Sequence, residues 1–90
     1  MPPVYNGDSE MKARVLVSFK KTVLDPQGQT IRSALAGRGY EGIVDVRQGK
    51  VFEIELEGKT PAEARAQLDE IARDILANPV IEEYRVELPE

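Results

Sequence analysis

Ninety residues suffice for one small domain with a single two-layer core, and are too few for a deep cleft. The chain has no cysteine and no histidine, which excludes disulfides, zinc–thiolate sites, thiol nucleophiles and any Ser-His-Asp or Cys-His arrangement. Its net charge of −4, with 41% hydrophobic and 31% charged residues, suits a globular domain and disfavours a nucleic-acid binder, which needs cations to displace counterions from phosphate. The charge is unevenly spread: residues 11–50 carry a net +5 and residues 51–90 a net −7. Such halves attract within a fold, between copies or towards a partner. No apolar run is long enough to span a bilayer, and MPPVYNGDSE lacks the basic and apolar regions of a signal peptide, so a cytoplasmic protein is expected.

Residues 1–10, with two prolines and Asn6-Gly7, read as a flexible extension, and residues 11–90 as one domain. Ala13 to Phe19 alternates Ala13, Val15, Val17 and Phe19 on one face and predicts a strand. Asp25 is a good N-cap and Pro26 fits the first helical position, where its missing N–H is not needed. The helix they start runs to about Arg38 and is expected to bury Ile31, Ala34 and Leu35.

The segment IVDVRQGKVFEIELE predicts two strands around a tight turn at Gln48-Gly49. Val44 and Val46 share a face on the first. Phe52, Ile54 and Leu56 share one on the second, opposite an acidic row of Glu53, Glu55 and Glu57. Thr60-Pro61-Ala62-Glu63 has the form of a capping box and opens a second helix, whose apolar stripe is Ala64, Leu68, Ile71, Ala72, Ile75 and Leu76. Asn78-Pro79 stops it. A last strand, VIEEYRVEL, places Val80, Tyr84, Val86 and Leu88 on one face with Glu82 among them.

The predicted order is βαββαβ, an α+β domain in which two helices cover one face of a four-stranded antiparallel sheet, ferredoxin-like or a variant of it. The other face would mix Leu16 and Val51 with charges, which favours association through sheet faces or edges. Three chemical roles fail on the residues. An RNA module needs exposed aromatic residues where this chain has its glutamate row. Gly37-Arg38-Gly39-Tyr40-Glu41-Gly42 follows a helix, whereas phosphate loops precede one. The glutamate row is a solvated face, with no second ligand type converging on it. A small enzyme using Glu82 or Glu53 as base lacks a convergent partner. What remains are loops at element ends, where binding surfaces usually lie: Lys20-Lys21, Arg47-Gln48-Gly49-Lys50, Asn78-Pro79 and the inward Glu82.

Read together, Lys21-Thr22-Val23-Leu24-Asp25-Pro26-Gln27-Gly28, then Val46-Arg47-Gln48-Gly49-Lys50, then Leu76-Ala77-Asn78-Pro79-Val80-Ile81-Glu82 resemble the PurS family, the small subunit of phosphoribosylformylglycinamidine (FGAM) synthase. The resemblance runs from Met11 to nearly the end of the chain; residues 1–10 precede the usual start. It implies a non-catalytic accessory subunit of an ATP-dependent amidotransferase/ligase complex in purine biosynthesis, which makes FGAM from formylglycinamide ribonucleotide (FGAR), glutamine and ATP. The glutaminase subunit PurQ would release ammonia, and the synthetase subunit PurL would bind ATP and magnesium. This chain would hold no cofactor or metal and would join the two as a dimer or tetramer, with no nucleic acid and no membrane. The resemblance marks Lys21, Asp25, Pro26, Gln27, Gly28, Arg47, Gly49, Lys50, Asn78, Pro79 and Glu82 for assembly or partner contact. Among these, Asp25, Pro26 and Gly28 would shape a corner that presents Gln27, and Glu82 would pair with a cation of a neighbouring chain. The alternative from a different class is an ACT-like regulatory domain, which shares the element order and senses small molecules at a dimer seam.

Overall fold

A computed structural model of the chain describes residues 10–89. The elements are β1 (Glu10–Phe19), α1 (Pro26–Gly37), β2 (Gly49–Glu57), α2 (Pro61–Ile71) and β3 (Glu82–Glu87), with a π-helical turn, Ala72–Leu76, ending α2. The strands form one antiparallel sheet in the order β2-β1-β3. The extension expected over residues 1–10 lies outside the described residues except at Glu10, which already belongs to β1.

The period-2 pattern of β1 sorts its residues between the two faces. Ala13, Val15 and Val17 are buried against Ala64, Leu68 and Ala72 of the α2 segment, with Leu56 and Val86 from the flanking strands. Register pairs Val15 with Phe52 and Val86, and Ala13 with Ile54. On the opposite face Arg14 lies between Glu53 and Glu87, Lys12 opposite Glu55, and Leu16 between Val51 and Arg85. The acidic row read from β2 therefore faces the basic row of β1. Lys12 pairs with Glu55 and Arg14 with Glu87, both at 3.9 Å, while Arg85 lies 3.1 Å from Glu87. These pairs are solvent-exposed, each worth about 0–1 kcal/mol, so they set the polarity of the face more than its stability.

Three expectations change. First, Ile43–Arg47 forms no strand, so among the described residues the sheet has three strands and nothing pairs with the outer edge of β2. The alternation of Val44 and Val46 is real, but this segment is fastened to α1 instead of folding back on β2. Arg32 Nε donates to the Ile43 carbonyl at 3.4 Å, and Gly28 meets the Val46 carbonyl. Second, α1 shares no packed interface with the sheet or α2, and its only buried residue is Gly28. Ile31 and Ala34 are exposed and Leu35 is half-buried. α1 and the returning segment 43–48 thus make an arm at one end of the sheet. Third, Ile75 is 75% exposed, because the Ala77 N–H bonds to the Ala72 carbonyl five residues back. That wider turn rotates Ile75 out of the stripe that Leu68 and Ala72 continue.

Gly28 and Gly49 are set by close approach. A Cβ on Gly28 would collide with the Val46 carbonyl oxygen, and one on Gly49 would lie 2.8 Å from the Val17 carbonyl oxygen. Gly37, in the last turn of α1, has nothing within 4 Å of its Cβ position. Gly28→Ala is expected to destabilise the fold by about 1–3 kcal/mol through overpacking, and Gly37→Ala to stabilise it by about 0.5–1 kcal/mol. Denaturant unfolding of the two variants checks this; equal effects would contradict the packing of 46 on 28.

Candidate functional site

The three segments marked in the sequence meet at the arm's base. Asp25 has extended backbone (φ −107°, ψ 98°) and caps α1, its Oδ1 accepting from the Gly28 N–H at 2.9 Å. Its Oδ2 accepts from the Gln48 N–H at 2.6 Å, so one carboxylate closes a helix and fixes a segment 23 residues away. Asp25 is only 1% exposed, which only a fully hydrogen-bonded carboxylate tolerates. Arg47 complements it: Nη2 donates to the Lys20 carbonyl at 2.9 Å and to the Val23 carbonyl at 2.8 Å. The third segment joins through Lys20, whose N–H donates to the Ile81 carbonyl at 2.9 Å.

The 78–82 corner is closed on itself. Asn78 Oδ1 accepts from the Val80 N–H at 3.1 Å, and the Asn78 carbonyl accepts from the N–H groups of Ile81 and Glu82. Glu82 Oε1 accepts from the Asn78 N–H at 2.7 Å. Glu82 thus spends one carboxylate oxygen on holding the 78–82 corner inside the chain. Pro79 occupies an exposed turn position between these bonds.

Pro79 apart, the structure therefore separates the marked residues into two groups. Asp25, Pro26, Gly28, Arg47, Gly49, Asn78 and Glu82 shape the corner. Lys21, Gln27 and Lys50 are exposed, and their side chains make no hydrogen bond or ion pair among the described residues. Gln27 and Lys50 border a shallow pocket of about 120 Å³ together with Ser18, Gln48, Gly49 and Glu82. Gln48 and Lys20 contribute chiefly backbone groups to the corner. No side-chain type announces a backbone donor, so their part was not readable; only the turn expected at Gln48-Gly49 hinted at it.

The chain is a small three-stranded α+β domain whose Asp25, Gly28 and Arg47 brace one corner. Comparison with known proteins gives its family. Residues 12–90 match the family model described as PurS: Phosphoribosylformylglycinamidine (FGAM) synthase. The Bacillus subtilis subunit PurS of that synthase is 42% identical over 79 residues, covering 88% of this chain and 93% of the relative. The Mycobacterium leprae subunit is 44% identical over 75 residues, covering 83% and 91%. Among solved structures, B. subtilis PurS superposes with a TM-score of 0.76 at 40% identity, covering 89% of this chain and 99% of that one. A chain in the structure of PurLQS from Thermotoga maritima does so with a TM-score of 0.80 at 30% identity, covering 89% and 98%. This chain belongs to the PurS family. Membership favours the accessory-subunit expectation over the ligand-sensing one.

The N–H groups of Gln48 and then Gly28, helped by Arg47, hold the Asp25 carboxyl below its ordinary value of 3.8, against the opposing effect of burial. A carboxyl whose folded value is depressed contributes stability that is present above its unfolded value and is lost as pH falls through the folded one. The wild type should therefore lose stability progressively below about pH 4. Asp25→Asn should lower Tm at pH 7 by roughly 5 °C or more, because one of the two N–H groups then faces an amide donor. The variant should also show a shallower dependence of Tm on pH in the acid range. Identical acid profiles for the two proteins would contradict the role given to Asp25.

Proposed function

We propose that this chain is the PurS subunit of FGAM synthase, acting in the cytoplasm in purine biosynthesis as a non-catalytic member of a complex with a synthetase (PurL) and a glutaminase (PurQ). In this reading PurQ frees ammonia from glutamine, PurL activates FGAR with ATP and magnesium, and the PurS subunit, self-associated, joins them so that ammonia reaches FGAR without escaping to water. The observation that carries it is the match of residues 12–90 to the family, together with the superposition on a chain of the T. maritima PurLQS structure. The geometry supports it in two ways. Arg47 and Asp25 are used inside the chain to brace a corner, and the side chains left pointing outward, Lys21, Gln27 and Lys50, offer polar contacts of the kind found at interface rims.

Reconstitution tests the reading. Adding the chain to synthetase and glutaminase subunits should restore glutamine-dependent FGAM formation, whereas turnover with added ammonia should depend on it far less. Equal glutamine-dependent turnover without the chain would overturn the proposal. The outward surface is tested by the double variant Lys21→Glu, Lys50→Glu. It should keep the wild-type fold by circular dichroism and weaken complex formation by roughly tenfold, the scale of one or two interface charges reversed. Unchanged complex formation would show that these lysines face no partner.

A further inference from the structure

The helix-bearing face of the sheet ends in a polar corner beside the arm. Lys50 stands opposite Val17 and Glu82 opposite Phe19, so a lysine of β2 and a glutamate of β3 flank β1 on the face they share with Phe52 and Tyr84. Neighbouring strands about 4.8 Å apart and a two-residue stagger put the two Cα atoms roughly 12 Å from each other. Between them Val17 and Phe19 supply apolar surface, and Gln27 and Gln48 border the same cavity, of about 120 Å³, from the arm.

Each polar side chain of this corner has bonding capacity left over. Lys50 makes no hydrogen bond or ion pair among the described residues. Glu82 uses Oε1 on the Asn78 N–H at 2.7 Å, and no ion pair joins it to Lys50 although both line the cavity. Gln48 is held by its backbone N–H, so its side-chain amide is free among the described residues, as is that of Gln27. The cavity therefore sets an ammonium and a carboxylate on opposite sides of a gap, with two amides alongside. A second, open groove of about 340 Å³ continues past Gln27 and Gln48 to Pro26, Thr30 and Ile31, with no charged side chain in its lining.

We propose that this corner binds a free α-amino acid with an uncharged side chain. The ligand's carboxylate faces Lys50, its ammonium faces Glu82 Oε2, and its side chain lies along Gln27 and Gln48 into the groove beside Ile31. The lining selects for such a molecule. A simple anion that satisfies Lys50 meets the Glu82 carboxylate, a simple cation meets the opposite conflict, and a zwitterion matches both. Amides donate and accept alike, so Gln27 and Gln48 suit an amide or hydroxyl side chain, whereas nothing in the groove compensates a charged one. A volume of 120 Å³ is the share of about four waters in the liquid, the scale of an amino-acid backbone. A ligand held at both ends ties β2 to β3 beneath the arm and stiffens the corner. The site lies within one chain, not at a seam between copies, and binding there does not require the accessory role.

The full chain is titrated with L-alanine, L-serine and L-asparagine and followed by amide chemical shifts. Binding should be saturable, with Kd on the order of 1 mM, the scale for a small ligand open to solvent. The shifts should centre on Gln27, Gln48, Lys50 and Glu82, and ligand at about ten times Kd should raise Tm by roughly 5 °C. Ethylamine and propionate, each with one of alanine's two charges, should bind at least about tenfold more weakly, and L-aspartate more weakly than L-asparagine. Lys50→Ala should weaken binding by about tenfold with unchanged circular dichroism. Glu82→Gln keeps an acceptor for the Asn78 N–H, so the corner stands while the ammonium loses its counterpart, and binding should fall similarly. The site is overturned if no amino acid saturates by roughly 50 mM, or if the shifts map to other residues. It is overturned equally if the single-charge analogues or L-aspartate bind as well as the uncharged amino acids, or if Lys50→Ala binds like the wild type. Glutamine-dependent turnover reports on the accessory role separately, so each idea can fail without the other.

Discussion

The Asp25 carboxylate accepts one hydrogen bond from the first turn of its own helix and one from Gln48, 23 residues further on. The shape of the domain depends on this pair. With Gln48 held there, the preceding residues run back along α1: the Val46 carbonyl approaches Gly28 closely, and Arg47 reaches across to the Lys20 and Val23 carbonyls. A hairpin on β2 would need the same residues elsewhere. The corner therefore explains the arm, the open edge of β2 and the three-stranded sheet. A buried carboxylate is costly unless its oxygens are matched, and here both are.

The corner also clarifies what a small assembly subunit asks of its residues. Seven of the eleven positions marked by family resemblance serve the chain's own geometry, and three of the rest point to solvent from the frame that the seven build. Replacing a residue of the first kind would lower the stability of the isolated chain, whereas replacing one of the exposed three would leave it nearly unchanged. The charge pattern divides similarly: part of the apparent asymmetry is neutralised across the open sheet face, and the remainder separates arm from body.

Much of this was legible in the sequence because its causes are local. The alternation of Ala13, Val15 and Val17, and of Phe52, Ile54 and Leu56, reports strands directly. Asp25-Pro26 and Thr60-Pro61 report helix starts, and both caps form: the Thr60 hydroxyl accepts from the Glu63 N–H at 3.2 Å. What was not legible has tertiary causes. Val44 and Val46 alternate as a strand would, and only the distant Asp25 and Gly28 divert them. Gly28 lowers helix propensity for a reason that lies at Val46. Ile75 keeps helical spacing in the sequence but is turned outward by a π turn that no residue type signals. At the candidate site the side chains were identifiable, whereas their division between bracing and contact was not, because it turns on backbone donors of Gln48 and Lys20.

The most direct measurement is amide hydrogen exchange at Gln48 in the isolated chain. A backbone N–H bonded at 2.6 Å to a buried carboxylate should exchange far more slowly than the N–H groups of exposed loop residues around it. It should be protected together with Gly28, the two opening as one unit. If Gln48 exchanged at the rate of an unstructured loop while Gly28 stayed protected, Asp25 would be a helix cap only, and the corner on which this account rests would not exist.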